Sequence, residues 1–327
     1  MMTLRGARLT AATFATALLA AACAGAATDG PADGLGGPPA ADGSPAGGGG
    51  GGAGAGAPDA SGAGTAAVRV QQVGGFVTAE MLATRLPLVV VYEDGRVISE
   101  GPQAAVAPGP ALPNVQLRRI SAADVQKLVD RAVAAGIGGE RDFGQPSVTD
   151  SPTTRFTVRT ADGVRTTEIY ALAEGHGDTG LTAHQLAARK AVEGLLDALT
   201  DLPGALGPAA VGEPAPYTPA AVAAIVTPWA PSCTAAPGAA RPGRCGGVPA
   251  DPNERAWPGA PLPGETFSHA ADLTCVTTDG DRAAELLAAA RTAVTTTPWT
   301  YDGSRWQIRF RPLLPDESTC ADLLPRR

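Results

Sequence analysis

Few side chains in this chain carry reactive chemistry, and they gather in three places. The first is Glu174-Gly175-His176-Gly177-Asp178-Thr179-Gly180, with His184 four residues further on. Neutral imidazole and carboxylate are ordinary metal ligands, so His176, Asp178 and His184 form a candidate cation site. The spacing matches no familiar metal motif, and so many glycines make a loose frame for a coordination shell. A polar turn leading into a solvated helix is the plainer reading of the same residues. The second place is the set Trp229, Trp257, Trp299 and Trp306. An exposed indole presents a flat apolar face and a donor edge to a sugar or peptide, whereas a buried one fills a core. Trp299 and Trp306 flank a turn, which makes them the candidate ligand-binding pair and also a candidate cross-strand pair.

The third place is the cysteines. Beyond Cys23 there are four, Cys233, Cys245, Cys275 and Cys320. An even number in an exported chain reads as two disulfides, with three pairings open. Cys233–Cys245 would close a short Pro/Gly loop, and Cys275–Cys320 would tie a strand to the chain's end. No CxxC pair is present to favour a metal. HExxH, P-loop, GxSxG and Ser-x-x-Lys patterns are also missing, and three histidines leave little for a triad. Acids such as Asp94 and Glu100 would suit a glycosidase, but nothing selects them as a pair.

Cys23 belongs to a different pattern. Arg5 and Arg8 stand without an acid, followed by an uncharged run over 9–22 rich in Ala and Leu. This is the layout of an export signal, and it is too short and Ala-rich for a bilayer span of about 20 strongly apolar residues. Its end, Leu18-Leu19-Ala20-Ala21-Ala22-Cys23, resembles a bacterial lipobox, although Ala20 stands where Leu is usual. The resemblance implies cleavage before Cys23, a diacylglyceryl thioether and palmitate-type acylation, with the protein held on the extracytoplasmic face of the cell membrane. Two acyl chains make a stable anchor where one is marginal.

Residues 23–66 follow as a Gly/Ala/Pro/Ser segment with an unbroken glycine run over 47–52. It has too little apolar bulk to offset its ordering entropy and is expected to be a disordered tether. Roughly 40 residues of coil span about 35 Å. The Gly-rich GGAGAG there imitates a nucleotide fingerprint but lacks the flanking strand and helix. The formal charge of −7 falls two units lower once Arg5 and Arg8 are removed. An acidic protein gains nothing from phosphate attraction, so nucleic acid is not expected as a partner. Lys127 and Lys190 are the only lysines, a bias that fits a high-GC genome.

Two regions must position whatever the chain holds. Over 67–205, Val68–Val73 and Leu88–Tyr92 read as strands, and Asp94-Gly95 is a hairpin turn. After a further strand over 115–120, Ser121 caps a helix whose buried stripe is Val125, Leu128, Val129 and Ala132, ending at Gly136. A second hairpin turns at Asp162-Gly163, and Thr182 with Gln185 forms a capping box for a helix carrying Ala188, Val192, Leu195, Leu196 and Leu199. Over 206–327, a Pro-rich boundary leads to a strand over 221–227 and a long loop over 230–264. A strand over 273–278, a helix over 281–294 and a hairpin turning at Asp302-Gly303-Ser304 complete the region. The order predicts an α+β fold of antiparallel sheets with helices on one face. The layout behind a lipobox resembles actinobacterial lipoproteins, which implies location and no activity.

No catalytic residue and no cofactor is expected. The expected role is non-catalytic binding or scaffolding in the envelope, with an envelope protein or cell-wall glycan as partner. An envelope hydrolase or metal-dependent enzyme, and a Trp-based sugar- or peptide-binding module, are the alternatives. Cys23→Ser should release the protein from membranes into the medium, as read by fractionation. A variant as membrane-bound as the wild type would remove the lipid anchor from this reading.

Overall fold

Short β-branched runs closed by glycine turns build two sheets, seen in a computed structural model that describes residues 63–175, 177, 180–230, 253–268 and 272–323. Cys23, the Gly-rich segment up to residue 62, His176, Asp178 and the proposed Cys233–Cys245 bridge lie outside the described residues. The chain runs β1 (Ala66–Val73), α1 (Ala79–Thr84), β2 (Val89–Tyr92), β3 (Arg96–Glu100), β4 (Val115–Arg119), α2 (Ala122–Ala134), β5 (Thr153–Thr160) and β6 (Gly163–Tyr170). It continues through α3 (Ala183–Thr200), α4 (Leu202–Leu206), β7 (Ala215–Pro216), β8 (Ala221–Pro228), β9 (Arg255–Ala256) and β10 (Glu265–Ser268). It closes with β11 (Leu273–Asp279), α5 (Gly280–Ala290), β12 (Pro298–Tyr301) and β13 (Ser304–Pro312).

The first sheet has the order β6-β5-β1-β2-β3-β4-β7, antiparallel throughout. The second has the order β10-β11-β8-β13-β12-β9, antiparallel except for the short β12–β9 pair. This is the α+β class that the sequence predicts. Each hairpin turn falls where its Asp-Gly pair lies. Gly95 has φ +83°, and a Cβ there would lie 2.2 Å from the Ile120 carbonyl oxygen, so only glycine fits.

Helical and strand periodicity then sort the core. On one face of the first sheet, Val68, Val70, Val89, Val91, Phe156 and Val158 meet the helix stripes. From α2 come Val125, Leu128, Val129 and Ala132, and from α3 come Ala188, Val192, Leu195 and Leu199. Ser121 caps α2 through the Asp124 N–H, and the Thr182–Gln185 capping box on α3 is complete. The second sheet turns Val222, Ala224, Val226, Ile308 and Phe310 towards Leu286, Leu287 and Ala290 of α5. Each fully buried Val, Leu or Phe contributes about 1.5–3 kcal/mol. The helix expected over 281–294 is shorter, because Arg291 closes α5 and the Thr297 hydroxyl accepts from the Val294 N–H in a turn.

The remaining faces of the two sheets share a join. Val90, Tyr92, Ile98, Val115 and Leu117 of the first pack with Leu86, Tyr217 and Leu314. Ala223, Ile225, Leu273 and Cys275 of the second pack with Ala83 of α1 and with Leu313. Neighbouring residues Leu313 and Leu314 thus serve different sheets, and the layers run helices, sheet, sheet, helix. β7 closes one edge of the first sheet just before β8 opens the second, and all described residues fall in one compact unit.

After β13 the chain becomes a strap over 313–323. A disulfide joins Cys275 in β11 to Cys320 at the strap's end, across 45 residues of sequence. The Cys320 N–H also donates to the Thr277 hydroxyl at 3.0 Å. Replacing Cys275 and Cys320 together by Ser should cost about 2–4 kcal/mol in urea unfolding and open the strap to proteolysis. A stability equal to the wild type would mean that the crosslink constrains nothing.

Candidate functional site

Strand alternation sends every second residue of β1, β5 and β6 away from α2 and α3. Register then arranges those residues in rows. Gln71, Arg155 and Glu168 form one row, Arg69, Thr157 and Thr166 the next, and Arg159 with Val164 a third. The rows are the floor of a cleft of about 940 Å³. One wall is the segment through α1, with Leu82 and Leu86; the other holds Phe267 of β10 and the strap, with Asp316, Glu317 and Leu323. Its volume lies in the range of small-molecule pockets.

A network of charges sets the inner end of this cleft. Arg69 donates to Asp316, and Glu317 lies 3.5 Å from Arg69 and 3.0 Å from Arg311. Glu317 also accepts from the Leu314 N–H at 2.9 Å, and the Tyr92 hydroxyl donates to Asp316 at 2.8 Å. The Tyr217 hydroxyl reaches the Leu313 carbonyl at 2.8 Å. Side-chain exposure is 3% for Arg311 and 7% for Glu317, so this pair is effectively out of water.

Burial opposes the charge on Arg69, but Asp316 and Glu317 outweigh it and hold the guanidinium above its ordinary value. For Arg311 burial wins over Glu317, and the value falls. The Tyr92 phenol is pushed up, first by burial and then by the Asp316 charge. Tyr217 rises for the same first reason, with Glu317 next. Both tyrosines therefore stay neutral donors.

Nearer the mouth the ion pairs are more exposed. Arg155 gives Nε and Nη2 to a single Glu168 oxygen, each at 2.6 Å. Arg159 lies 3.7 Å from Glu93, beyond hydrogen-bond length. The Thr157 and Thr166 hydroxyls are 3.3 Å apart.

The residues singled out from sequence lie elsewhere. His184 is exposed on the first turn of α3, while its proposed companions His176 and Asp178 fall outside the described residues. Among the described residues no group of three His, Cys, Asp or Glu side chains could hold a metal ion. Trp299 and Trp306 are register partners across β12 and β13, yet their rings part company. Trp299 is 1% exposed, edge-on to Trp257 at 5.7 Å and to Phe310 at 5.6 Å, so its faces are covered. Trp306 is half-buried beside the same core, and Trp229 stacks under Arg305 at 5.5 Å. Asp94 sits in the β2–β3 turn against Arg96, and Glu100 ends β3 at an exposed position. Partial desolvation, against the Arg311 charge, raises the Glu100 carboxyl. Six residues of extended chain separate the two acids by about 20 Å, too far to act on one glycosidic bond.

The cleft itself was missed in sequence. Its only trace was polar residues at alternate positions of β5 and β6, a pattern that also describes any solvated strand face. Among the described residues no helix is long and apolar enough to cross a membrane. Compared with known families, with curated proteins and with solved structures, the chain matches none.

Glu317→Gln leaves Arg311 buried without its counter-charge and should cost about 3–5 kcal/mol in urea unfolding. Glu93→Gln, at the exposed and longer contact to Arg159, should cost less than about 1 kcal/mol. Equal losses from the two would contradict the burial argument.

Proposed function

We propose that this protein is a non-catalytic binding module, anchored by lipid on Cys23 to the extracytoplasmic face of the cell membrane, with the cleft as its ligand site. The lipobox resemblance and the following Gly-rich segment support the location. The cleft supports the activity, because a polar floor between apolar walls is the usual composition of a ligand pocket. The lining groups also favour binding over chemistry. Its acids are engaged by arginines or backbone N–H groups, and Tyr92, which donates to Asp316, stays protonated. A hydrolase reading would need a carboxylate pair or an activated nucleophile, and Asp94 and Glu100 stand at opposite ends of β3.

Thr157 sits at the centre of the floor, so Thr157→Trp fills the cleft without touching the core. The full chain extracted from its own membrane should carry a bound species, seen by native mass spectrometry. That species should be lost from Thr157→Trp at unchanged thermal stability. Identical spectra for the two proteins would take the ligand out of the cleft.

A further inference from the structure

We infer that the cleft takes a small anionic amphiphile, with a carboxylate or phosphate head on Arg155 or Arg159 and a hydrocarbon portion along Leu82, Leu86, Phe267 and Leu323. This inference rests on the cleft being the ligand site. Its first support is the balance of donors and acceptors. Every acid lining the cleft already has a partner. Asp316 holds Arg69 and Tyr92, Glu317 holds Arg311 and the Leu314 N–H, and Glu168 holds Arg155. Asp322 accepts from the Ser318 and Thr319 N–H groups.

The groups left over are donors. Arg159 makes no hydrogen bond among the described residues, its nearest carboxylate being 3.7 Å away and itself half exposed. Arg155 spends two nitrogens on one oxygen and keeps Nη1 for a ligand. The Gln71 amide, in the same row as Arg155, is also without a hydrogen bond among the described residues. A ligand that satisfies these groups must bring acceptors and negative charge. Exposed ion pairs are weak, so an incoming anion can take Arg155 from Glu168 at small cost. Guanidinium presents a planar fork that suits carboxylate and phosphate alike.

The second support is apolar. Six large apolar side chains stand exposed among the described residues: Phe76, Met81, Leu82, Val106, Val133 and Val164. Two of them, Leu82 on the α1 wall segment and Val164 on the floor, line this one cleft. Leu86, Phe267 and Leu323 add apolar surface along the same walls. Arg155 and Arg159 are four residues apart on one strand face, about 13 Å, so one head group engages one or the other while the chain follows the wall. A neutral sugar would bring no charge to Arg159, and a purely ionic ligand would leave Leu82 and Val164 uncovered.

The test uses the full chain with Cys23→Ser, prepared without detergent, and isothermal titration with dodecanoate, dodecyl phosphate, dodecanol and acetate. Dodecanoate and dodecyl phosphate should bind one to one, and dodecanol and acetate at least about tenfold more weakly. The preference between the two anions identifies the head group. Arg155→Gln with Arg159→Gln should weaken dodecanoate at least about tenfold and abolish its salt dependence, while Lys at both positions should retain most of the binding. Dodecanol binding as tightly as dodecanoate, or indifference to the arginine changes, would overturn the anionic head. Binding of polyglutamate but of neither dodecyl anion would replace the amphiphile by an acidic peptide. Retention of the natural bound species in Thr157→Trp would instead overturn the cleft reading itself, whatever the dodecyl probes do.

Discussion

Two charged pairs that leave water together govern the centre of this molecule. Arg311 on β13 and Arg69 on β1 belong to different sheets, and both reach the strap, where Glu317 and Asp316 await them. A lone guanidinium at that depth would be very costly, and the carboxylates make it tolerable only while the strap stays in place. The sheets, the strap and the charges therefore depend on one another. Remove the strap and Arg311 is buried without a counter-charge; remove Arg311 and Glu317 is. The Cys275–Cys320 disulfide holds the far end of the strap, so the ion pairs need not supply all of its ordering.

That joint also explains why a cleft exists. The first sheet has seven strands, and the strap and second sheet cover the β2–β3–β4 side, where Val90, Ile98 and Leu117 are buried. At β1 the cover ends, and the strap's acids meet Arg69. Beyond it, β5 and β6 carry arginine, threonine and glutamate on the same face, which fits a surface meant to stay wet. The change from valine to arginine along one sheet face marks where packing stops and the floor of the cleft begins. The apolar side chains of α1 then overhang polar ground, which makes the amphipathic character of the site a consequence of how far the second sheet extends.

Much of this was legible beforehand. The turns at Asp94-Gly95, Asp162-Gly163 and Asp302-Gly303 specify hairpins because positive φ at a two-residue turn nearly requires glycine or aspartate. The stripes of α2 and α3 follow from 3.6-residue periodicity, and the caps from Ser121 and Thr182. The short strands β7, β9 and β10 were not legible, since two to four residues give periodicity nothing to act on. Nor was the fate of Trp299, whose type suits a binding face as well as a core; only its place between Trp257 and Phe310 decides. Arg311 was equally opaque. Arginine in a strand pattern reads as a solvent position, and its burial depends on a glutamate six residues later that turns back on it.

Local order is what the amino-acid sequence determined unaided: hairpins, helix stripes and caps. These depend on neighbours within a few residues, whose dihedral preferences and apolar spacing are written in the chain. The tertiary structure alone decided which strands became neighbours, which arginines lost water, and where a polar floor met an apolar wall. Pairing across 247 residues, as between Arg69 and Asp316, leaves no local signature, because the energy that selects it appears only when both ends are desolvated together.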